Sequence, residues 1–306
     1  MTGPLAFLNG RFLPADSATI SPVDSGFVLG AAVAEQLRTF GGKLFCRDEH
    51  LERLEHSLEI VGVDPGLDRR RFAEVAEELV GHNHRLLDQG DDLGLSVVVT
   101  PGLYPSYTAD AAVEPTVCLH TYPLPFRYWA AKYGSGQALV LTSVTQVPGR
   151  CWPAELKCRS RMHYYLADRE AGRREAGSRA LLLDDNGHVT EASTANLLLY
   201  TEEEGLISPP AGTVLPGISV STVLRLAAGL GIRTSRRSLT PSDVACADEV
   251  LLTSTPWCLL PVTRFEGRAV ARGMPGPVFR QILAAWSERV GVDIAAQAER
   301  FATRAR

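Results

Sequence analysis

The sequence predicts a mixed α+β protein that is built from two domains. Its 306 residues exceed what one hydrophobic core usually organises. Short apolar runs bounded by turn residues indicate strands, and apolar stripes with helical spacing lie between them. Pro123-Leu124-Pro125 marks the expected boundary. We therefore expect a small amino-terminal α/β domain over 1–122, a connecting loop over 123–137 and a larger domain over 138–306.

The first domain is predicted to begin with a hairpin over residues 6–13. Two short apolar runs flank Asn9-Gly10 there, and this dipeptide favours a two-residue hairpin turn. A helix is expected over about 29–37. A strand-turn-strand unit then follows over 37–46 and turns at Gly41-Gly42.

Two amphipathic helices come next. Leu51, Leu54 and Leu58 recur at i, i+3 and i+7 on the first, for which Asp48 is the expected N-cap. The second is expected over 69–88. The remaining strands of this sheet are expected over 95–100 and 116–121. The loop between them contains Tyr107 and predicts either a wall of a substrate pocket or a plain connection.

The second domain shows short strands mixed with helices. Asp185-Asn186-Gly187 is typical of a hairpin turn. The predicted helices cover 161–176, 215–230 and 278–290. The predicted strands cover 138–142, 180–184, 188–191, 197–200 and 249–253. Residues 291–306 carry no pattern from which we predict an element.

Composition excludes several functional classes. The formal net charge of −4 offers no electrostatic attraction to nucleic acid or to an anionic membrane. We see neither a secretory leader nor an apolar run near ~18 residues. The six cysteines form no Cys-x-x-Cys pair, so we expect buried reduced thiols and a cytoplasmic location. His82 and His84 could ligate a metal, but a solvated helix end is the favoured interpretation.

The chain contains only three lysines: Lys43, Lys132 and Lys157. Lys43 lies at a predicted hairpin tip, and Lys132 lies in a Gly/Ser-containing segment that looks flexible. Lys157 alone lies between apolar segments. A buried lysine has a lowered pKa, and its neutral amine attacks carbonyl groups. The alternative is an ordinary charged lysine.

Three further features point to a phosphate-bearing cofactor with a flat ring. Gly217-Ile218-Ser219 opens a helix, whose N–H groups can hold a phosphate. Ser254-Thr255 supplies hydroxyl donors after a buried strand. Glu191 ends a strand among small residues that leave room for a ring, although such a glutamate is often only a solvated edge charge. Arg53 adjoins the apolar stripe of its helix and could point inwards or lie along the surface.

Six sequence blocks carry a family resemblance, and Glu191 follows Lys157 by 34 positions. The blocks are Asp24-Ser25-Gly26-Phe27 with Gly30 and Glu35-x-x-Arg38; His50-Leu51-x-Arg53-Leu54; Leu156-Lys157; Thr190-Glu191-Ala192-Ser193-Thr194-Ala195-Asn196; Leu215-Pro216-Gly217-Ile218-Ser219; and Asp248 to Thr255 with Pro261-Val262. In these blocks the chain resembles the class IV aminotransferases, which include branched-chain aminotransferases, D-amino-acid aminotransferases and aminodeoxychorismate lyases. The resemblance covers about residues 6–290.

The resemblance implies a fold, a cofactor and an activity. The implied fold is two α/β domains of the D-amino-acid aminotransferase type with pyridoxal 5'-phosphate between them, the larger domain binding the cofactor. The implied protein is a homodimer of amino-acid metabolism, with a loop borrowed from the neighbouring subunit. The implied reaction moves an amino group from an amino acid to an α-keto acid. A lyase of the aminodeoxychorismate type is the alternative, and a cofactor-binding protein without this activity, or a plain α+β domain, is a third interpretation.

The resemblance also implies individual roles. Lys157 would bond the cofactor and move a proton at the substrate α-carbon. Glu191 would pair with the pyridine nitrogen, and Asn196 would brace the Glu191 turn. The phosphate would be held by Arg53, by the backbone N–H groups of Ile218 and Ser219 and by the Thr255 hydroxyl. Gly217 and Ser254 complete the candidate cofactor-binding residues.

The substrate-facing positions depart from the family pattern. Pro101-Gly102 stands where some members carry an Arg-Gly pair whose arginine places a substrate carboxylate. Ala34 replaces a common aromatic residue and should enlarge the pocket. Pro256 has no N–H to offer a carboxylate, and Trp257 is bulky. Branched-chain enzymes carry Asn-Tyr where this chain has Arg161-Met162.

These departures define the candidate substrate-binding residues. They are Ala34, Tyr107, Arg159, Arg161 and Trp257. We hypothesise that Arg159 or Arg161 replaces the missing carboxylate clamp. The alternative is that both arginines face solvent or pair with Glu155 and Asp168.

Overall fold

The computed structural model describes residues 3–108 and 114–304. The chain divides into two compact units, Met1–Leu124 with Leu156–Ser160 and Pro125–Glu155 with Arg161–Arg306, which we call unit 1 and unit 2. The sequence-based division placed Leu156–Ser160 in the second domain. In the structure this segment lies in unit 1 because its backbone pairs with a strand there.

Unit 1 is an antiparallel sheet backed by two long helices. The sheet has the order β2-β1-β6-β5-β3-β4. Its strands are β1 (Leu5–Leu8), β2 (Arg11–Pro14), β3 (Val33–Phe40), β4 (Lys43–Leu44), β5 (Leu93–Thr100) and β6 (Thr116–Pro123). Its helices are α1 (Ser25–Val28), α2 (Arg47–Val61) and α3 (Arg69–His84).

The predicted hairpins and amphipathic helices of unit 1 are confirmed in type. Leu51, Leu54 and Leu58 are buried on α2, in one core with the inward side chains of the sheet. Two details were wrong. Helix α2 begins before Asp48, which lies in its first turn, and its N-cap is Cys46. Helix α3 ends at His84 rather than at residue 88.

The predicted helix over 29–37 was wrong. This stretch contains the start of β3, and the only helix nearby is the short α1, where Asp24 caps Gly26 N–H. Strand alternation was hidden because the inward position 35 is a glutamate between the apolar Val33 and Leu37. A buried charge of this kind needs partners from elsewhere in the fold, and local periodicity does not contain them.

Unit 2 contains a sheet of the order β12-β11-β10-β13-β14-β7-β8-β9, and β9 also pairs with β10. A closed ring is therefore formed by six strands: β7, β8, β9, β10, β13 and β14. The strands are β7 (Gln137–Leu141), β8 (Arg179–Leu183), β9 (Val189–Ala192), β10 (Ala195–Thr201), β11 (Gly205–Ser208), β12 (Thr234–Arg236), β13 (Glu249–Ser254), β14 (Cys258–Phe265) and β15 (Arg268–Ala269). The helices are α4 (Lys132–Ser135), α5 (Met162–Arg174), α6 (Ile218–Gly229), α7 (Pro241–Cys246), α8 (Pro277–Val290) and α9 (Ile294–Phe301).

The carboxyl-terminal stretch forms a helix that the sequence did not predict. Asp293 caps α9 by accepting a hydrogen bond from Ala296 N–H. Phe301 stacks on Phe126 with ring centroids 6.2 Å apart, which ties α9 to unit 2. The short helix was missed because eight residues contain too few turns for a convincing apolar stripe.

Several expectations concern surface chemistry. Within residues 3–108 and 114–304, no helix is long and apolar enough to cross a membrane. None of the six cysteines forms a disulfide. Cys151 and Cys246 are exposed, so the expectation of buried thiols was wrong for them. His82 and His84 contact the carbonyl oxygens of Gly3 and Asp91 through their Nε2 atoms.

Candidate functional site

Lys157 lies in an extended segment of unit 1 and is only 8% exposed. Its carbonyl oxygen accepts a hydrogen bond from Ala34 N–H at 2.9 Å, and its own N–H donates to Ser57 Oγ at 3.2 Å. These bonds attach the segment to β3 and α2. The backbone of Lys157 is therefore held by two elements that are far from it in sequence.

The other two lysines occupy different environments. Lys43 is exposed on β4. Lys132 lies in α4 rather than in a flexible segment, and its Nζ donates to Gln137 Oε1. Burial and the nearby Arg179 lower the pKa of Lys132 to about 8. A lowered pKa therefore does not by itself identify the reactive lysine.

Arg53 belongs to a buried ionic cluster in unit 1. Its Nε donates to Glu35 Oε2 at 2.9 Å and its Nη2 donates to Glu35 Oε1 at 2.8 Å. His50 Nδ1 lies 3.0 Å from the same Oε1. Glu35 is fully buried, and Arg53 is 8% exposed. Two parallel bonds of this kind fix the plane of a guanidinium group.

Burial and neighbouring charges together set the pKa values of Glu35 and His50. Burial alone would raise the pKa of Glu35, but the Arg53 charge, aided by His50 and Lys157, holds that pKa well below its usual range. Burial lowers the pKa of His50, so its ring is neutral at pH 7 and its Nδ1–H donates to the Glu35 carboxylate. In the sequence, Glu35 and His50 are visible only as members of the family blocks, and no role was predicted for them.

Glu191 is the corresponding buried carboxylate of unit 2. It lies on β9, is 4% exposed and accepts three side-chain hydrogen bonds. Tyr164 Oη donates to its Oε1 at 2.7 Å and Gln146 Nε2 to the same atom at 2.9 Å. Asn196 Nδ2 lies 3.2 Å from Oε2. Burial nevertheless raises the pKa of Glu191 to about 7, because the donors and the nearby Arg161 offset only part of the desolvation.

The turn after Glu191 has a constrained backbone. Thr194, between β9 and β10, has a positive φ of 62°, which is uncommon for a β-branched residue. Its carbonyl oxygen accepts a hydrogen bond from Ser254 Oγ at 3.1 Å. The turn directs Glu191 and Asn196, which pair across β9 and β10, toward each other. Tyr164 and Gln146 were missed in the sequence because their contact with Glu191 is made only by the fold.

Helix α6 supplies the backbone donors that the phosphate hypothesis requires. Gly217 is its N-cap, and no side chain caps this helix start within the residues that the structure describes. A Cβ at Gly217 would lie 2.0 Å from Asn196 Oδ1. Asn196 in turn donates to Leu215 O at 2.9 Å, so glycine allows the helix start to approach the Glu191 turn closely. Ile218 begins the helix, Ser219 is buried in its first turn, and Thr255 is half-buried just after β13.

The five candidate substrate residues fall in different surroundings. Ala34 is fully buried beside Lys157, and Tyr107 is 63% exposed. Arg159 Nη2 donates to Ser96 Oγ at 2.9 Å within unit 1. Arg161 is the N-cap of α5 in unit 2. Burial raises the pKa of both Tyr164 and Glu191, and the charge of Arg161 opposes part of that rise.

Trp257 is buried in unit 2. The Arg179 guanidinium lies 4.7 Å from its ring centroid, and Tyr133 Oη donates to its carbonyl oxygen at 2.7 Å. The indole of Trp129 packs edge-on against it at 6.1 Å. Trp257 is therefore held within the packing of its own unit.

Comparison with known proteins gives a consistent family. A sequence model described as Amino-transferase class IV matches residues 32–265. A D-alanine aminotransferase of Bacillus licheniformis is 27% identical over 275 residues, which are 90% of this chain and 93% of that protein.

Solved structures share the fold. A branched-chain amino acid aminotransferase of Escherichia coli superposes with a TM-score of 0.86 at 22% identity, covering 94% of both chains. The branched-chain amino acid aminotransferase of Thermobaculum terrenum, solved in its PLP-form, superposes with a TM-score of 0.82 at 21% identity, covering 99% of this chain and 97% of that one. At these identities the structures establish the two-domain α+β fold.

Proposed function

This chain belongs to the class IV aminotransferases, and from that premise we propose the residues through which it moves an amino group between an amino acid and an α-keto acid. The family uses pyridoxal 5'-phosphate. The similarity of this chain to branched-chain and D-alanine aminotransferases favours transamination over the lyase alternative. Glu191 is the observation that carries the proposal. It is a buried carboxylate with a pKa raised to about 7, which a protonated ring nitrogen would stabilise as the anion.

The other residues also suit this cofactor. The start of α6 presents backbone N–H groups beside the close Gly217–Asn196 approach, which matches a phosphate. Arg53 offers a guanidinium whose plane is fixed by Glu35. Ser219, Ser254 and Thr255 can add hydroxyl or backbone donors, and Lys157 supplies the amine for the aldehyde.

When bound, pyridoxal phosphate supplies an aldehyde that takes up the amino group and a ring that accepts the electron pair left on the substrate α-carbon. Lys157 Nζ holds the cofactor between turnovers and afterwards carries the proton that leaves or returns to the α-carbon. Glu191 keeps the ring nitrogen protonated, while Asn196, Gln146 and Tyr164 orient its carboxylate.

Optical and chemical tests examine this proposal directly. Purified protein with pyridoxal phosphate should absorb in the visible range, and borohydride should fix the chromophore on Lys157, located by peptide mass spectrometry. Label on Lys132, or no chromophore at all, would reject the assignment. Protein loaded with pyridoxamine phosphate should then convert an α-keto acid to its amino acid, whereas a lyase would release pyruvate without an acceptor. D-alanine and branched-chain L-amino acids are the first donors to compare.

We also propose a cytoplasmic homodimer. Unit 1 exposes Phe27 at 77% and Leu29 at 60%, and such adjacent apolar side chains suit coverage by a second copy. Six cysteines without a disulfide fit a reducing compartment. Light scattering should give twice the mass of one chain, and Phe27→Ser with Leu29→Ser should shift the protein toward monomer. A monomeric wild-type protein at micromolar concentration would reject the dimer.

Gly217→Ala is expected to weaken cofactor binding by about tenfold. The added Cβ would meet Asn196 Oδ1 at 2.0 Å, so the start of α6 or the Asn196 side chain must move. The φ of Gly217 is −71°, which alanine adopts without strain, so the effect should come from this contact. Fluorescence titration with pyridoxal phosphate measures it. Gly212→Ala is no suitable control because its φ is positive; Gly229→Ala, in open space near the end of α6, is the matched one.

Tyr164→Phe is also expected to raise the cofactor Kd about tenfold at pH 7.5. The variant loses a hydrogen bond to the ionised Glu191 carboxylate, and bonds to charged groups contribute about 1.5–3 kcal/mol. Tyr165→Phe removes a neighbouring hydroxyl from a residue that is 60% exposed, and it should bind like the wild type. Equal affinities for both variants would contradict the role given to Tyr164.

A further inference from the structure

Arg159 and Lys157 project from the same side of one short extended segment. Cys158 forms an antiparallel bridge with Val33, and Arg159 N–H donates to Ala32 O at 2.8 Å. In an extended chain, residues two apart point to the same side and lie about 7 Å apart. The Arg159 side chain therefore leaves the backbone on the side of the reactive amine, within reach of a group attached to the carbon on which Lys157 acts.

The Arg159 guanidinium reaches a polar face of the unit 1 sheet. Its Nη2 donates to Ser96 Oγ, and Ser96 lies opposite His120 in the register of β5 and β6. The next pair on this face is Gly94 and Tyr122, where a Cβ on Gly94 would lie 2.2 Å from Tyr122 Cζ. Glycine therefore lets the tyrosine ring lie across the strand beside Ser96. We call Ser96, His120, Tyr122 and Arg159 the polar sheet face.

The polar sheet face includes the Arg159 guanidinium, which acts on its titratable members. Burial lowers the pKa of His120, and the charge of Arg159 adds to this effect. Burial raises the pKa of Tyr122, while Arg159 and Arg38 oppose the rise. The strand positions on the same side of β3, β5 and β6 are Ala34, Gln36, Arg38, Gly94, Ser96, Val98, Cys118, His120 and Tyr122. None of these positions is a carboxylate.

Arg161 has a different environment. It lies at the start of α5 in unit 2, and its charge acts on Tyr164, His163 and Glu191. The charge of Arg161 favours the ionised form of the Glu191 carboxylate, the form that the proposed contact with the cofactor ring requires. The structure therefore separates the two arginines that the sequence left equivalent.

We propose that Arg159 is the specificity-determining residue that binds the α-carboxylate of the substrate, with Ser96 orienting its guanidinium. A guanidinium presents paired donors that match a carboxylate, and the bond to Ser96 Oγ holds one of its nitrogens in place. The inference rests on the proposed aminotransferase function and names the group that the missing family arginine would otherwise bind. Ala34, a small side chain, is hydrogen-bonded through its N–H to the Lys157 carbonyl oxygen and is fully buried.

Binding of unreactive ligands tests this role apart from turnover. Butyrate and its uncharged analogue butyramide are titrated into the cofactor-loaded protein, with affinity read by calorimetry. The wild type should prefer butyrate at least about 30-fold. Arg159→Met should abolish the preference, Arg159→Lys should retain a weaker one, and Arg161→Met should keep it within about threefold. Arg11→Met, an exposed arginine of β2, is the surface control.

Steady-state kinetics add a second readout. Arg159→Met should raise KM for pyruvate at least about 30-fold while kcat falls less than about threefold, because the carboxylate contact is present in both the ground state and the transition state. Ser96→Ala should raise KM about threefold. Thermal melting shows whether each variant is folded, and Arg159→Lys, which keeps the charge, serves if the methionine variant is not.

The outcomes separate this inference from the function. If loaded wild-type protein has the cofactor chromophore and transfers amino groups, but Arg159→Met or Arg159→Lys keeps the full preference for butyrate, the role of Arg159 is wrong and the function stands. If the wild type takes up no cofactor and transfers no amino group, the proposed function fails.

Discussion

Lys157→Ala is expected to lower kcat/KM by ~10⁴-fold or more, because in the proposed site the variant loses both the covalent anchor of the cofactor and the base at the substrate α-carbon. Lys157 is the only lysine buried beside the Glu35–Arg53 cluster in the part of unit 1 that the structure describes. Added small amines should restore part of the activity, since they can carry the proton in place of Nζ. Amino transfer is followed in coupled assays with and without methylamine.

Two variants serve as matched controls for Lys157→Ala. Lys132→Met removes the other lysine with a lowered pKa, and Lys43→Ala removes an exposed one. Both should keep activity within about threefold of the wild type. If Lys132→Met were as inactive as Lys157→Ala while both variants remained folded, the identity of the reactive lysine would have to be revised.

Glu191→Gln is expected to reduce activity by roughly 10²–10³-fold, the range typical of removing one preorganised electrostatic contact to developing charge. In the proposed site, a neutral amide at position 191 would not hold the proton on the ring nitrogen, so the ring would withdraw electrons less strongly. Loaded Glu191→Gln protein should retain the covalent attachment at Lys157, because that chemistry uses a different residue. Absorbance and half-reaction rates separate attachment from turnover.

The same substitution should change how the stability of the cofactor-free protein depends on pH. The carboxyl pKa is raised from 4.5 to about 7 by folding, so the folded state binds this proton more tightly than the unfolded state. Ionisation of Glu191 therefore lowers the free energy of unfolding. This loss is negligible below about pH 4.5, grows as the pH rises to 7, and is constant at about 3 kcal/mol above that. Glu191→Gln has no ionisable group at this position, so its free energy of unfolding does not show this loss.

The test compares unfolding free energies of the cofactor-free wild type and variant at pH 5 and pH 8. The difference between the two proteins should move by about 2 kcal/mol in favour of Glu191→Gln as pH rises. A difference that is the same at both pH values would show that Glu191 does not titrate as described. Glu249→Gln is the matched activity control, since Glu249 is a buried carboxyl of unit 2 whose role is to accept Val278 and Phe279 N–H at the start of α8.

The fold class, the family and the cofactor could all be predicted from the amino-acid sequence. Apolar stripes on α2 and α3 and turn residues such as Asn9-Gly10 act through neighbours a few positions away, so these elements are visible in one dimension. The Lys157 and Glu191 blocks were recognised for the same reason, because each is a short pattern of contiguous residues. Prediction failed for β3, where the buried Glu35 interrupts the apolar alternation.

The grouping of side chains into clusters became visible in the three-dimensional contacts. It joined Glu35 to Arg53 and His50, brought Tyr164 and Gln146 to Glu191, and paired Leu156–Ser160 with β3 in unit 1. It also distinguished Arg159 from Arg161, two residues apart in sequence and in different units. Such contacts join positions up to 130 residues apart, as between Ser160 and Gly30. Their energy depends on burial and orientation, which arise when the chain packs and leave no local pattern in the sequence.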